Sequence, residues 1–146
     1  MSGSDVAVDA GIRLSRLRSP VIVTIAVFAA VALNLIVFAI GAALGANYRF
    51  VSHGEQLTVD LLTLIGFSAV PLAVGLTVAA LLSMRWRWVI PAALIIGPVL
   101  ALGTILIMTV PAGFTTPSLV ALAVCHAILV PVMVVALRAI RRRRLR

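Results

Sequence analysis

Few side chains in this sequence could do chemistry. Of its 146 residues only 11% are charged: four are acidic, and twelve are basic, every one of them arginine. His53, His126 and Cys125 complete the candidates for ligation, acid–base or nucleophilic work. His53, Glu55 and Asp60 are the one local cluster, and imidazole and carboxylate are ligands for divalent cations. Their spacing matches no metal motif, so we assign no metal, no cofactor and no catalytic residue. Catalysis needs a nucleophile with a base, or a ligand set, and neither can be assembled here. A lone cysteine forms no intramolecular disulfide. It also excludes the membrane oxidoreductases that make disulfides, which work through cysteine pairs. Asp60 has a simpler reading, as the acidic group that complements the dipole of a helix beginning beside it. His126 is the one ionisable residue that falls well inside an apolar run. That position makes it either a proton-sensitive or ligand-binding group or a hydrogen-bonding link between helices. Haem ligation by two copies of it would need a second motif that the chain lacks.

The segments that carry these residues are extreme in composition. Hydrophobic residues make up 63% of the chain, and the mean hydropathy is +1.24. A soluble domain carries about 25% charged residues, and disorder requires low hydrophobicity. Both classes are excluded, which leaves an integral membrane protein. A bilayer core is crossed by about 20 apolar residues in a helix. Four runs meet that length, at about 21–45, 61–84, 89–110 and 118–137. Ser19-Pro20 and Thr116-Pro117 read as starts of the first and fourth. The first run exceeds the roughly 7–15 residues of a signal-peptide core, so we expect it to remain as a span. The connections, Asn47–Val59, Arg85–Trp88 and Pro111–Thr116, are too short to form domains of their own. The expected fold is an all-α, up-and-down four-helix membrane bundle. It comprises a cytoplasmic segment 1–19, a transmembrane domain 20–137 and a basic cytoplasmic tail 138–146.

Orientation follows from the arginines. Arg13, Arg16 and Arg18 precede the first run, and Arg85 and Arg87 separate the second and third. Arg138, Arg141, Arg142, Arg143, Arg144 and Arg146 follow the fourth. With four spans these eleven lie on one side, opposite Arg49, Glu55 and Asp60, and basic loops stay cytoplasmic. Both termini are therefore expected in the cytoplasm of a plasma-membrane protein, with the arginines on anionic headgroups. No folded reader of nucleic acid accompanies them. Trp86 and Trp88 fit an interfacial aromatic belt at that face, and Tyr48 and Phe50 one at the other.

Helices associate in lipid through small residues and hydrogen bonds rather than through hydrophobicity. Gly41, Gly45, Gly66, Ala73, Gly97 and Ala101 supply such faces, and Gly41 and Gly45 form a GxxxG pair. Packing within the bundle is one use for that pair, and a homo-oligomer seam is another. Asn34 sits near the middle of the first run, where an unpaired amide is costly. We expect Asn34 and His126 to face the interior at similar depth, as candidates for a hydrogen-bonded pair. Pro71, Pro98 and Pro131 each remove a helix hydrogen bond and could open a cavity between the helices.

The second half of the chain carries a resemblance. Trp86-Arg87-Trp88, Ile96-Gly97-Pro98-Val99-Leu100 and Leu122-Ala123-Val124-Cys125-His126 resemble small four-span membrane proteins of unknown function from actinobacteria, mycobacteria included. The likeness covers about residues 60–140. It implies the four-span topology and a histidine in the fourth helix, and it brings no activity with it.

Taken alone, the sequence points away from enzymes. We expect a structural or protein-interaction role in the cell envelope, with a membrane or exported protein as partner. The alternative is a subunit of a small transporter or channel, its path lined by Asn34, Thr63, Thr77, Thr104 and His126.

Overall fold

The protein is described here from a computed structural model that covers residues 18–52 and 54–144. Arg13, Arg16, His53 and Arg146 lie outside those residues. Helix α1 spans Ser19–Ala43, strand β1 Arg49–Ser52, strand β2 Glu55–Thr58, helix α2 Leu61–Leu82, helix α3 Val89–Thr104 and helix α4 Thr116–Arg144. A π-helical turn, Ile105–Thr109, prolongs α3. All four helices are long and apolar enough to cross a membrane.

Local chemistry sets the boundaries. Arg18 is the N-cap of α1, with Pro20 in the first turn, where a missing N–H costs nothing. At the other end Gly45, at φ +92°, closes a Schellman motif. Its N–H donates to Ala42 O at 3.0 Å, and that of Ala46 donates to Gly41 O at 2.9 Å. Asp60 caps α2 by accepting the Thr63 N–H at 2.7 Å. Val110 N–H reaches back five residues to Ile105 O at 2.9 Å, which makes the end of α3 a π turn rather than the continuous α-helix expected.

Two stretches differ from the sequence reading. The connection Asn47–Val59, expected as a loop, holds an antiparallel hairpin pairing Arg49 with Thr58 and Ser52 with Glu55. Its turn ends in Gly54 at φ +83°, a conformation open to glycine. The basic tail is not a separate segment, because α4 runs on through Arg144. Ala139 and Ile140 are fully buried while Arg138 and residues 141–143 stay exposed. The helix continues because its last turns still have apolar surface to bury. Pro71, Pro98 and Pro131 lie inside α2, α3 and α4 without ending them.

Helix α1 packs mainly on α4 and α2, and α3 packs on α4, while α2 and α3 make little mutual contact. Arg143 Nη1 donates to Ser19 Oγ at 3.0 Å, joining α1 and α4 at the arginine-bearing end. Around that end Ile22, Ala30, Leu76, Leu137 and Ile140 belong to an apolar core. A second, smaller cluster holds Tyr48, Leu64, Leu122 and Cys125 at the hairpin end. Phe28 is 72% exposed and Asn34 only 1%. Apolar outside and amide inside is the arrangement that suits helices in hydrocarbon.

Candidate functional site at the hairpin end

Against the hairpin-end cluster lies a cavity of about 410 Å³ to which α1, α2, the π turn, α4 and the hairpin all contribute. Its wall is mostly apolar, with Leu64, Phe67, Phe114 and Leu122 among its members. A few polar side chains line it: Asn34 from α1, Thr58 from β2, Thr63 and Ser68 from α2, Thr109 from the π turn and His126 from α4. An apolar cavity with a small polar set is the usual form of a small-molecule site. Two of its lining residues, Phe67 and Met108, are 67% and 60% exposed. The cavity therefore opens toward the surroundings where α2 and α3 barely meet.

The polar groups are unequally satisfied. Asn34 Nδ2 donates to Ser68 Oγ at 2.7 Å. Asn34 Oδ1 is buried without a hydrogen-bond partner among the described residues. An orphaned buried acceptor costs about 1–3 kcal/mol. His126 Nδ1 lies 2.9 Å from Leu122 O, one turn back on its own helix. A carbonyl only accepts, so Nδ1 carries the hydrogen, and in the neutral ring Nε2 is an acceptor. Cys125 Sγ lies 3.8 Å from Asn34 O. Thiol and imidazole are thus each engaged by backbone rather than by one another, unlike an activated cysteine.

The lid over the cavity is held by a specific joint. Ser118 Oγ accepts the backbone N–H groups of Asn47 at 3.1 Å and Tyr48 at 3.0 Å. Tyr48 adopts φ +53°, rare for a bulky residue. Its ring stacks on Phe38 with centroids 3.9 Å apart, and its hydroxyl donates to Phe38 O at 2.7 Å. Burial pushes the Tyr48 phenol above its ordinary range, which keeps it the donor this contact needs. Tyr48 is therefore an internal strut, not the interfacial belt residue expected, because its ring finds Phe38 and Gly41 inside. Phe50 packs on Phe114 with centroids 5.2 Å apart and lines the cavity.

The expected residues sort as follows. Asn34 and His126 do line one cavity, but Asn34 bonds Ser68 and His126 bonds its own helix, so the pair does not form. Gly41 is a close-contact glycine: a Cβ there would sit 2.7 Å from Ala121 Cβ and against the Tyr48 hydroxyl. Its face is thus covered from within the chain, and Gly45 ends the helix with open space around it. Gly97 packs against Met133. Gly66 has open space around it, and Ala73 and Ala101 are half-buried. Glu55 is exposed on β2. The bond from Thr63 holds the Asp60 carboxyl below its ordinary range. No group of three potential metal ligands occurs among the described residues. Arg18, Arg85, Arg87, Trp86 and Trp88 are all exposed. Of the polar path imagined for transport, Thr77 is exposed and the Thr104 hydroxyl donates to Ala101 O at 2.8 Å. Neither lines this cavity. Thr109 and Ser118 were not singled out by sequence. Hydroxyls in apolar helices are common, and only the packing reveals which ones converge.

No family model, curated protein or solved structure matches the chain.

Proposed function

We propose that the chain is a multi-pass plasma-membrane protein that binds a small membrane-soluble molecule at its hairpin end and does not transform it. Both chain termini are cytoplasmic in this reading, by the arginine distribution, and the cavity lies in the outer half of the bilayer. The observation that carries it is the buried Asn34 Oδ1, left without a partner beside a cavity of about 410 Å³. Leaving such an acceptor unpaired is unfavourable, and an occupant that satisfies it recovers the cost. Binding ranks above transport because Thr77 and Thr104, the rest of the polar path imagined for transport, do not line the cavity. It ranks above catalysis because the thiol and imidazole are engaged by separate backbone carbonyls.

The test is mass spectrometry of small molecules that co-purify in mild detergent, comparing the native chain with Ala112→Phe. Ala112 lines the cavity, and a ring there fills it. A species retained by the native protein and lost from the variant is expected. Equal recovery from both overturns the reading. A second reading, docking of an envelope protein, is favoured by the hairpin, whose two strands pair with no third strand among the described residues and so could take one by strand addition.

A further inference from the structure

The occupant has a definite chemistry, if the cavity is a ligand site as proposed above. Two of the cavity's polar groups offer only acceptors, beside the hydroxyls of Thr58, Thr63 and Thr109, which both donate and accept. Asn34 Nδ2 is committed to Ser68, so the orphan end of that amide is Oδ1. His126 Nδ1 is committed to Leu122 O, so the nitrogen left for a cavity occupant is Nε2. Two such acceptors among threonine hydroxyls suit a ligand group that itself both donates and accepts, as a hydroxyl does. No arginine, aspartate or glutamate lines the cavity, so nothing there balances a charged headgroup, whose desolvation would be costly. The remaining wall is apolar and opens on the side where Phe67 and Met108 are exposed. That opening faces hydrocarbon in a membrane, the path of a molecule with a long apolar tail. Depth agrees: Asn34 lies nine residues from the Ala43 end of α1 and His126 ten from the Thr116 start of α4, roughly 14–15 Å of helix rise. A phospholipid headgroup does not reach so far below an interface.

We propose that the site binds an uncharged lipid alcohol. Its hydroxyl donates to Asn34 Oδ1 or His126 Nε2, and its acyl or isoprenoid tail leaves between α2 and α3. The probes are a photoactivatable, alkyne-tagged long-chain primary alcohol and its methyl ether, which keeps the tail and loses the donor. Each is crosslinked to the full-length protein in vesicles, and labelled peptides are mapped. The expected result is labelling of cavity-lining peptides by the alcohol at about fivefold lower concentration than by the ether, the ratio for one hydrogen bond. In Asn34→Leu or His126→Phe that ratio falls toward one while ether labelling persists. Where Asn34→Leu fails to fold, His126→Phe and the ether comparison carry the same test. Equal labelling of the cavity by both probes in the native protein overturns hydroxyl recognition and leaves the ligand site standing. Labelling confined to the outward helix faces overturns the ligand site itself.

Discussion

Single residues divide this protein into groups that pack and groups that wait for a partner. Gly41 belongs to the first kind. A methyl group there meets Ala121 Cβ at 2.7 Å and the Tyr48 hydroxyl, and overpacking of that sort costs about 1–3 kcal/mol. Gly41→Ala should lower the melting temperature in detergent while leaving the oligomeric state unchanged. A shift in oligomeric state at constant melting temperature would favour the seam reading. Asn34 belongs to the second kind, and half of its behaviour is legible in sequence. A lone amide in an apolar run must turn inward, and it does. Its choice of Ser68 over His126 is not legible, because it depends on how α1 and α2 are rotated about their axes. Nor does depth arithmetic reveal that His126 satisfies one nitrogen on its own helix, four residues back.

At the scale of elements, the four spans follow from apolar run length and from where the arginines interrupt it. That signal is strong because hydrocarbon admits little else. The hairpin is a weaker signal. Phe50-Val51 and Gln56-Leu57-Thr58 are short β-prone stretches around a two-residue turn ending in glycine, easily read as a polar loop. Its position depends on one serine. Ser118→Ala leaves two backbone N–H groups without their acceptor, at about 1–3 kcal/mol for such a loss where burial is complete. We expect faster hydrogen–deuterium exchange across residues 46–60, with the middle of α4 unaffected. Unchanged exchange in the hairpin would show that the stacking of Tyr48 on Phe38 suffices to hold it. The π turn has no compositional signature at all: Ile105–Thr109 is as apolar as the helix before it. Only tertiary packing decides that Thr109 is buried and Met108 borders the cavity.

The whole molecule is polarised. One end carries a continuous apolar core and the exposed arginines of α4, and the other carries the hairpin, the cavity and the acidic cap of α2. The arginine rule predicts that a C-terminal fluorescent-protein fusion glows and a C-terminal alkaline phosphatase fusion is inactive, as cytoplasmic placement requires. The opposite pair of results would invert the molecule and put the cavity in the inner half of the bilayer. This polarity also has a kinetic consequence. A route past Phe67 and Met108 would have whatever binds leave by the opening it came through. Bulk added at that threshold, at Phe67 or Met108, should slow arrival and departure by the same factor. Residence time would then lengthen with no gain in affinity, and the molecule would hold its occupant as a store does, on a clock set by the width of its door.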